Sequence, residues 1–445
     1  MRNVPLRQIA HYLGLISDID AQVTGYQIDS RLIQAGELFF ALKGEKTDGH
    51  LHLADAKANG AISAIVSKTY EGPSYGLFLL AVDDPTMSLQ ELARHFMSAS
   101  SAQIIGITGS VGKTTTKDFI ATLLGGKFKV GKTYASYNTK LTFPITLLNM
   151  QGDEEVLVLE MGMSEPGDLA RLIQIAAPDI AVLTKVALSH SAFFPGGLDE
   201  IARGKAEIFS HPRTKTAIFY EGFHEFAELA SQIQAEKVTF SLEKRSVDYF
   251  LTLSEGHYLV DERGVRAYQF DPPFKQPHVL HNFLAAVSVC RLLKMQWDEI
   301  NQQVGKLQLP KMRFEQFERE GVLFINDAYN ANPESMRSAL ASLPEPKEGG
   351  KRIAVLGEMR ELGVFSENCH LEVGRFAQKF VDHLLCLGEE TLPLYEGFQE
   401  VKKPAEHFLD RVSLKERLKA LMSPGDVVLV KGSRSVQLDQ IFELL

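Results

Sequence analysis

The chain has 445 residues, 45% of them hydrophobic and 23% charged, and a net charge of -9. That composition belongs to a folded soluble protein and the length to about three domains, while the acidic balance argues against a nucleic-acid binder, which would carry a basic excess. Phosphate chemistry in such a chain must rest on local cations. The three cysteines, Cys290, Cys369 and Cys386, are odd in number and far apart, so neither a disulfide framework nor a CxxC metal site is expected, and a reducing cytoplasm suits them. The opening MRNVPLRQIAHYLG lacks a long apolar region, and no apolar run reaches the roughly 18 residues of a membrane span, so neither secretion nor membrane insertion is expected.

Residues 1–83 mix short strands and helices. Turn chemistry is concentrated at Asp29-Ser30-Arg31, at Gly36 and Gly44, and at Thr47-Asp48-Gly49-His50, with a buried strand expected over 38–42 and an alanine-rich helix after the second turn. Hydroxyl, guanidinium and turn N–H groups of this kind can meet a pyrophosphate. As bare residues, a capped turn and a hairpin corner would also explain them.

A helix near 88–97 leads into residues 84–310, where the stretch IIGITGSVGKTTT at 104–116 dominates. A β-branched run followed by a glycine turn and Gly-Lys-Thr-Thr is a phosphate cradle. The N–H groups of Gly109, Ser110, Val111 and Gly112 can point into one concavity, with Lys113 reaching the β/γ-phosphates. Thr114 and Thr115 open the next helix, whose positive end adds to the cradle, and Thr114 offers a hydroxyl to magnesium. Apolar runs at 156–160, 180–183 and 216–220 then alternate with helical segments, the pattern of a mostly parallel sheet covered on both faces. Ligands of such sheets lie at the carboxyl ends of strands. Glu160 ends the first run, where a magnesium carboxylate is needed; His190 follows the second; Lys205 lies in a helix expected over 199–209. Each alone would more often be a solvated or capped residue.

Residues 311–445 repeat the alternation, with strands expected at 322–326, 352–356, 383–387 and 426–430 and hence a second doubly wound sheet. Arg313, just before the first of these strands, offers a guanidinium suited to phosphate, and Asp327, at a strand end, a carboxylate able to accept hydrogen bonds. A surface ion pair and a turn are the plainer readings of the two.

The compact loop T-G-x-x-G-K-T-T at 108–115, then Glu-Met-Gly at 160–162, a histidine after a strand, and I-A-x-x-K-x-E-I at 201–208 resemble the central domain of the Mur family of ATP-dependent amide ligases. The DSR and TDGH turns resemble that family's UDP-sugar-binding domain. NTKLTFPITLL at 138–148 resembles a stretch near the sugar substrate, with Thr142 where the family has glycine. HVLHNFLAA at 278–286 resembles its adenine motif, with Val279 in place of an asparagine. DAYNANPESM, LGEMRELG, His370 with Gly374, and GDVVLVKGSRS resemble the branch that adds D-alanyl-D-alanine to a UDP-muramoyl tripeptide.

The resemblance implies an α/β fold of three domains: a small UDP-sugar-binding domain (1–83), a central P-loop domain with a doubly wound, mostly parallel sheet (84–310), and a Rossmann-like C-terminal domain (311–445). It implies ATP as cosubstrate and two magnesium ions, held by Thr114, Glu160, His190 and a carbamate formed from carbon dioxide on Lys205. A free ammonium cannot hold magnesium, so that role requires the modification. It further implies catalytic roles for Lys113, Lys205, His190 and Arg313, and nucleotide contacts from loop residues 109–115, Asn282, Arg313 and Asp327. UDP-sugar contacts would come from Ser30, Arg31, Thr47, Asp48 and Asn138, and a dipeptide or C-terminal-domain site from Asn330 and Asn332. The substrates would be UDP-N-acetylmuramoyl tripeptide, D-alanyl-D-alanine and ATP, with no nucleic-acid or membrane partner, and the chain would act as a monomer. Two other readings keep the phosphate loop: a nucleotide-driven regulator or motor, and a UDP-sugar-binding scaffold without turnover.

Overall fold

The computed structural model describes residues 3–44 and 47–443. Three large sheets organise them. The first is an all-parallel sheet of four strands, Tyr26–Gln27, Leu38–Phe40, Ser63–Ser67 and Phe78–Val82, in sequence order. The strand expected over 38–42 stops at Phe40, because the chain bends there and Leu42 N–H donates back to the Phe40 carbonyl at 3.0 Å. The DSR and TDGH turns follow the carboxyl ends of two adjacent strands.

The central sheet has nine strands, ordered 265–270, 257–262, 249–254, 236–241, 216–220, 180–183, 103–108, 156–160 and 130–132. All neighbours are parallel except the 249–270 meander. A parallel sheet is covered on both faces, which is why its strands read as continuous apolar runs rather than alternating ones; every residue of Val156–Glu160 is buried. Helices Lys113–Leu124 and Pro277–Leu292 pack on one face. On the other lie Pro85–Ser98, Thr142–Leu148 and Asp168–Ile175. That second core is continuous with the first sheet, since Tyr26, Phe40 and Ile65 belong to the same cluster as Phe96 and Leu157. Asn149 ties the two sheets directly: its side-chain oxygen accepts from Tyr26 N–H at 3.0 Å and its amide donates to the Tyr26 carbonyl at 2.9 Å.

The third sheet has six strands, ordered 315–319, 322–326, 427–431, 352–357, 383–387 and 405–408, parallel except at the first pair. The four expected strands are present, the last one residue later than read, at Val427–Lys431. The carboxyl ends of the central and third sheets face a common cleft of about 290 Å³.

Candidate active site

The phosphate loop leaves strand Gln103–Thr108 between its two parallel neighbours, where the strand order reverses. Crevices of doubly wound sheets open at such switch points. Gly112 has φ 89°, and a Cβ on it would stand 2.3 Å from the Asn282 side-chain oxygen. Only glycine lets Asn282 lie against the loop. The next strand's exit grips the loop from the other side: Ser110 N–H donates to the Lys185 carbonyl at 2.6 Å, and the Thr184 hydroxyl to the Val111 carbonyl at 2.6 Å. Lys113 donates to the Gly109 carbonyl at 2.9 Å. Burial of its ammonium lowers its pKa; Glu160 opposes the shift and Arg313 adds to it.

Glu160 is 1% exposed. Its Oε1 accepts from the Asn138 amide at 2.7 Å, whereas Oε2 is buried without a hydrogen-bond partner among the described residues, 3.9 Å from the Lys117 ammonium. A buried carboxylate oxygen left unpaired is costly unless a cation meets it. Thr114 lies on the same cleft, its hydroxyl 3.3 Å from that of Ser136. Among the described residues no three His, Cys, Asp or Glu cluster as a metal cage. Magnesium usually rests on one or two carboxylates plus substrate phosphates, so one carboxylate, one hydroxyl and a nucleotide's own oxygens suit this donor set.

His190 lines the cleft at φ 55°, and its Nδ1 meets the carboxylate of Glu361 from the third sheet. Lys205, on helix Gly197–Ala206 followed by a 3-10 turn to Phe209, is 1% exposed. Its ammonium has no hydrogen bond or ion pair among the described residues. Burial, with the charge of Lys113 added, holds its pKa well below the lysine range.

From the third sheet, Arg313 donates to the Thr114 hydroxyl at 2.9 Å and lies 4.2 Å from the ring centre of Tyr329. Asp327 accepts from Phe314 N–H at 3.0 Å and from the Lys431 ammonium at 2.6 Å, so a ribose would share a carboxylate already anchored. Asn330 and Asn332 line the cleft. The former's carbonyl accepts from Lys431 at 3.0 Å, and the latter caps helix Pro333–Ala341, accepting from Ser335 N–H at 2.8 Å. Lys431 is 2% exposed. Lys431→Met takes the cation from an Asp327 carboxylate that is still 17% exposed, and losing a hydrogen bond to a charged group costs about 1.5–3 kcal/mol. A fall of that size in denaturant-unfolding free energy, with m unchanged, is the expected result.

The cleft thus gathers loop residues Ser110 to Thr115 with Asn138, Glu160, His190, Asn282, Arg313, Asp327, Asn330 and Asn332. Lys205 is buried beside Lys113 rather than lining it. Ser30, Arg31, Thr47 and Asp48 lie apart, on the first sheet. There Asp29 caps the DSR turn, accepting from Arg31 N–H at 3.0 Å and from the guanidinium at 2.7 Å. Ser30 is buried, and its carbonyl accepts from the Asn59 amide at 2.9 Å. Asp48 accepts from His50 N–H at 3.0 Å, and the Thr47 hydroxyl lies 2.8 Å from His52 Nε2. The plain capped-turn geometry is therefore present, with Arg31 still projecting into solvent at 85% side-chain exposure. Asn138, expected with this group, lines the cleft and gives its amide to Glu160. Val279 is buried in its helix, and Thr142 opens helix Thr142–Leu148 with its hydroxyl 2.9 Å from that of Thr139.

Sequence reasoning missed Lys117. It is buried, donates to the Ala135 carbonyl at 2.5 Å and faces Glu160. Its signal was the spacing of four from Lys113, which sets both lysines on one helix face.

Comparison with known proteins matches this architecture. Residues 22–97 match the Mur ligase family, catalytic domain; 107–290 the Mur ligase middle domain; and 312–434 the Mur ligase, glutamate ligase domain. The UDP-N-acetylmuramoyl-tripeptide--D-alanyl-D-alanine ligase of Bacillus subtilis is 32% identical over 429 residues, 94% of this chain and 92% of the relative. A crystal structure of MurF from Acinetobacter baumannii superposes with a TM-score of 0.89 at 26% identity, covering 100% of this chain and 99% of that one. MurF ligase from Thermotoga maritima in complex with ADP gives 0.77 at 30% identity, with 94% and 96% covered. With three family models matched along the chain and a relative 32% identical over nearly its full length, the chain belongs to the Mur ligase family.

Proposed function

We propose that this chain is an ATP-dependent ligase that joins D-alanyl-D-alanine to the terminal carboxylate of UDP-N-acetylmuramoyl-tripeptide, releasing ADP and phosphate, in the cytoplasmic synthesis of peptidoglycan precursor. The observation that carries the reading is the meeting of Arg313 with the phosphate-loop residue Thr114 at 2.9 Å across two sheets. A nucleotide seated on the loop has cations from both domains at its terminal phosphate. Names of full-length relatives supply the substrates.

In this reading the loop N–H groups and Lys113 hold the β/γ-phosphates while Arg313 meets the charge that develops during transfer. The tripeptide carboxylate attacks the γ-phosphorus, forming an acyl phosphate and ADP. The dipeptide amine then attacks the acyl carbon, the C–O bond to phosphate breaks, and the amine's proton is lost. Thr114 and Glu160 would hold one magnesium, and His190 with a carbamate on Lys205 a second. Bound there, magnesium neutralises phosphate charge. Asn138 and Lys117 keep the Glu160 carboxylate in place. Asn282 lies against the loop for the adenine, Asp327 for the ribose, and Ser30, Arg31, Thr47 and Asp48 offer turn groups to the UDP. Asn330 and Asn332 line the side of the cleft from which the dipeptide would enter. The chain is proposed to work as a monomer, its cleft being lined by residues of its own central and third domains.

ADP release measured with and without D-alanyl-D-alanine tests the proposal. Release that requires both the dipeptide and UDP-muramoyl tripeptide, with amide formed in equal amount, is expected. Dipeptide-independent hydrolysis would indicate a regulator or motor, and no hydrolysis a scaffold.

A further inference from the structure

The contact between the third sheet and the His190 loop is more elaborate than packing requires. Glu361 and His190 both adopt left-handed backbone conformations, at φ 64° and 55°, that residues with a Cβ rarely hold. Between them run three directed contacts. The Glu361 carboxylate accepts from His190 Nδ1, the Glu361 carbonyl from Ala192 N–H at 2.9 Å, and the Leu362 carbonyl from the Ser191 hydroxyl at 3.1 Å. Gly363 completes the fit: a Cβ there would stand 2.8 Å from Ala192 Cα. Strained backbone on both sides persists only where surroundings fix it, and such sites are usually functional.

We infer that Glu361 is a positioning residue: docking of segment 361–363 onto loop 190–192 fixes the His190 imidazole as the tautomer with Nδ1–H, so that Nε2 is the ring nitrogen left to bind a cation in the cleft. The second ring nitrogen of a metal-binding histidine is commonly held by a carboxylate in this way, and loss of that partner costs about 10–100-fold in metal affinity. Here the carboxylate comes from a different domain. The cation site of the central domain is therefore complete only while the third domain is docked, which links closure over the substrates to readiness for phosphoryl transfer. The inference rests on the ligase reading above and adds to it a residue and a coupling.

The test uses the full chain and a binding readout: the magnesium concentration for half-maximal binding of β,γ-methylene-ATP, measured by calorimetry. Glu361→Ala is expected to raise it about tenfold or more. Glu361→Gln, which retains an acceptor oxygen, should restore most of the loss. His190→Ala should raise it comparably, and the double variant no further than His190→Ala alone, because the carboxylate acts through the imidazole. An unchanged midpoint in Glu361→Ala, or full additivity in the double variant, overturns the inference, as does a lowered thermal midpoint with no change in magnesium dependence. If the unsubstituted protein binds no nucleotide analogue and shows no dipeptide-dependent ADP release, the ligase reading itself fails; if it passes both and Glu361→Ala matches it, only the positioning role is lost.

Discussion

Replacing Lys113 by Ala is expected to lower dipeptide-dependent ADP release by about 10²–10³-fold or more, the scale on which removing a preorganised charge from a transition state is felt. Lys113 is the loop's own lysine, its ammonium buried and donating to the Gly109 carbonyl at 2.9 Å, with the charges of Glu160 and Arg313 acting on it. The backbone cradle survives the substitution, so nucleotide binding should weaken less than turnover. UDP-muramoyl tripeptide binding, measured by calorimetry, should stay nearly intact, because the DSR and TDGH turns stand on a separate sheet. Equal loss of both would place the sugar nucleotide on the phosphate loop and sink the division of labour between sheets. Lys113→Arg should not rescue, since a planar guanidinium does not replace a compact ammonium inside a tight loop.

What could be read from sequence was what local pattern encodes. The phosphate loop, the strand-end carboxylate Glu160 and the four strands of the third sheet follow from apolar runs bounded by turn residues, and each stands within a residue or so of its expected place. The meander at 249–270 was missed although its signals were present. Glu255-Gly256 and Arg263-Gly264 each have both φ values positive, as two-residue hairpin turns require, between strands paired antiparallel. The parallel-sheet expectation hid them.

Pairings distant in sequence were not legible. Nothing in DAYNANP says that the Asp327 carboxylate will be met by Lys431, 104 residues later, because that pairing exists only once strands 322–326 and 427–431 lie side by side. The same holds for Asn149 with Tyr26 and for His190 with Glu361. Left-handed φ at Ala135, His190 and Glu361 is likewise invisible, since tertiary contacts impose it on residues that do not favour it. Lys117 supports two such features at once, bonding the carbonyl of Ala135 while facing Glu160.

Lys205→Ala is expected to abolish amide formation, and acetate or formate at millimolar concentration should partly restore it. Lys205 is 1% exposed, and both burial and the Lys113 charge favour its neutral form. A buried lysine with no anionic partner destabilises the fold as a cation. As a neutral amine it is a nucleophile: nitrogen attacks the carbon of carbon dioxide, the N–C bond forms, a proton passes to solvent, and a carbamate anion results. That product would reverse the sign of the charge beside Lys113 and would supply the oxygen ligand that an ammonium cannot. Enzyme equilibrated with ¹³C-labelled carbon dioxide should therefore show a carbamate carbon resonance that is missing from Lys205→Ala. Lys205→Arg should be inactive, because its guanidinium stays charged and cannot be carbamylated in this way. The opposing reading has the ammonium contacting phosphate directly. Activity retained by Lys205→Arg, or full activity after exchange into rigorously carbon-dioxide-free buffer, would decide for that reading, and small carboxylates would then give no rescue.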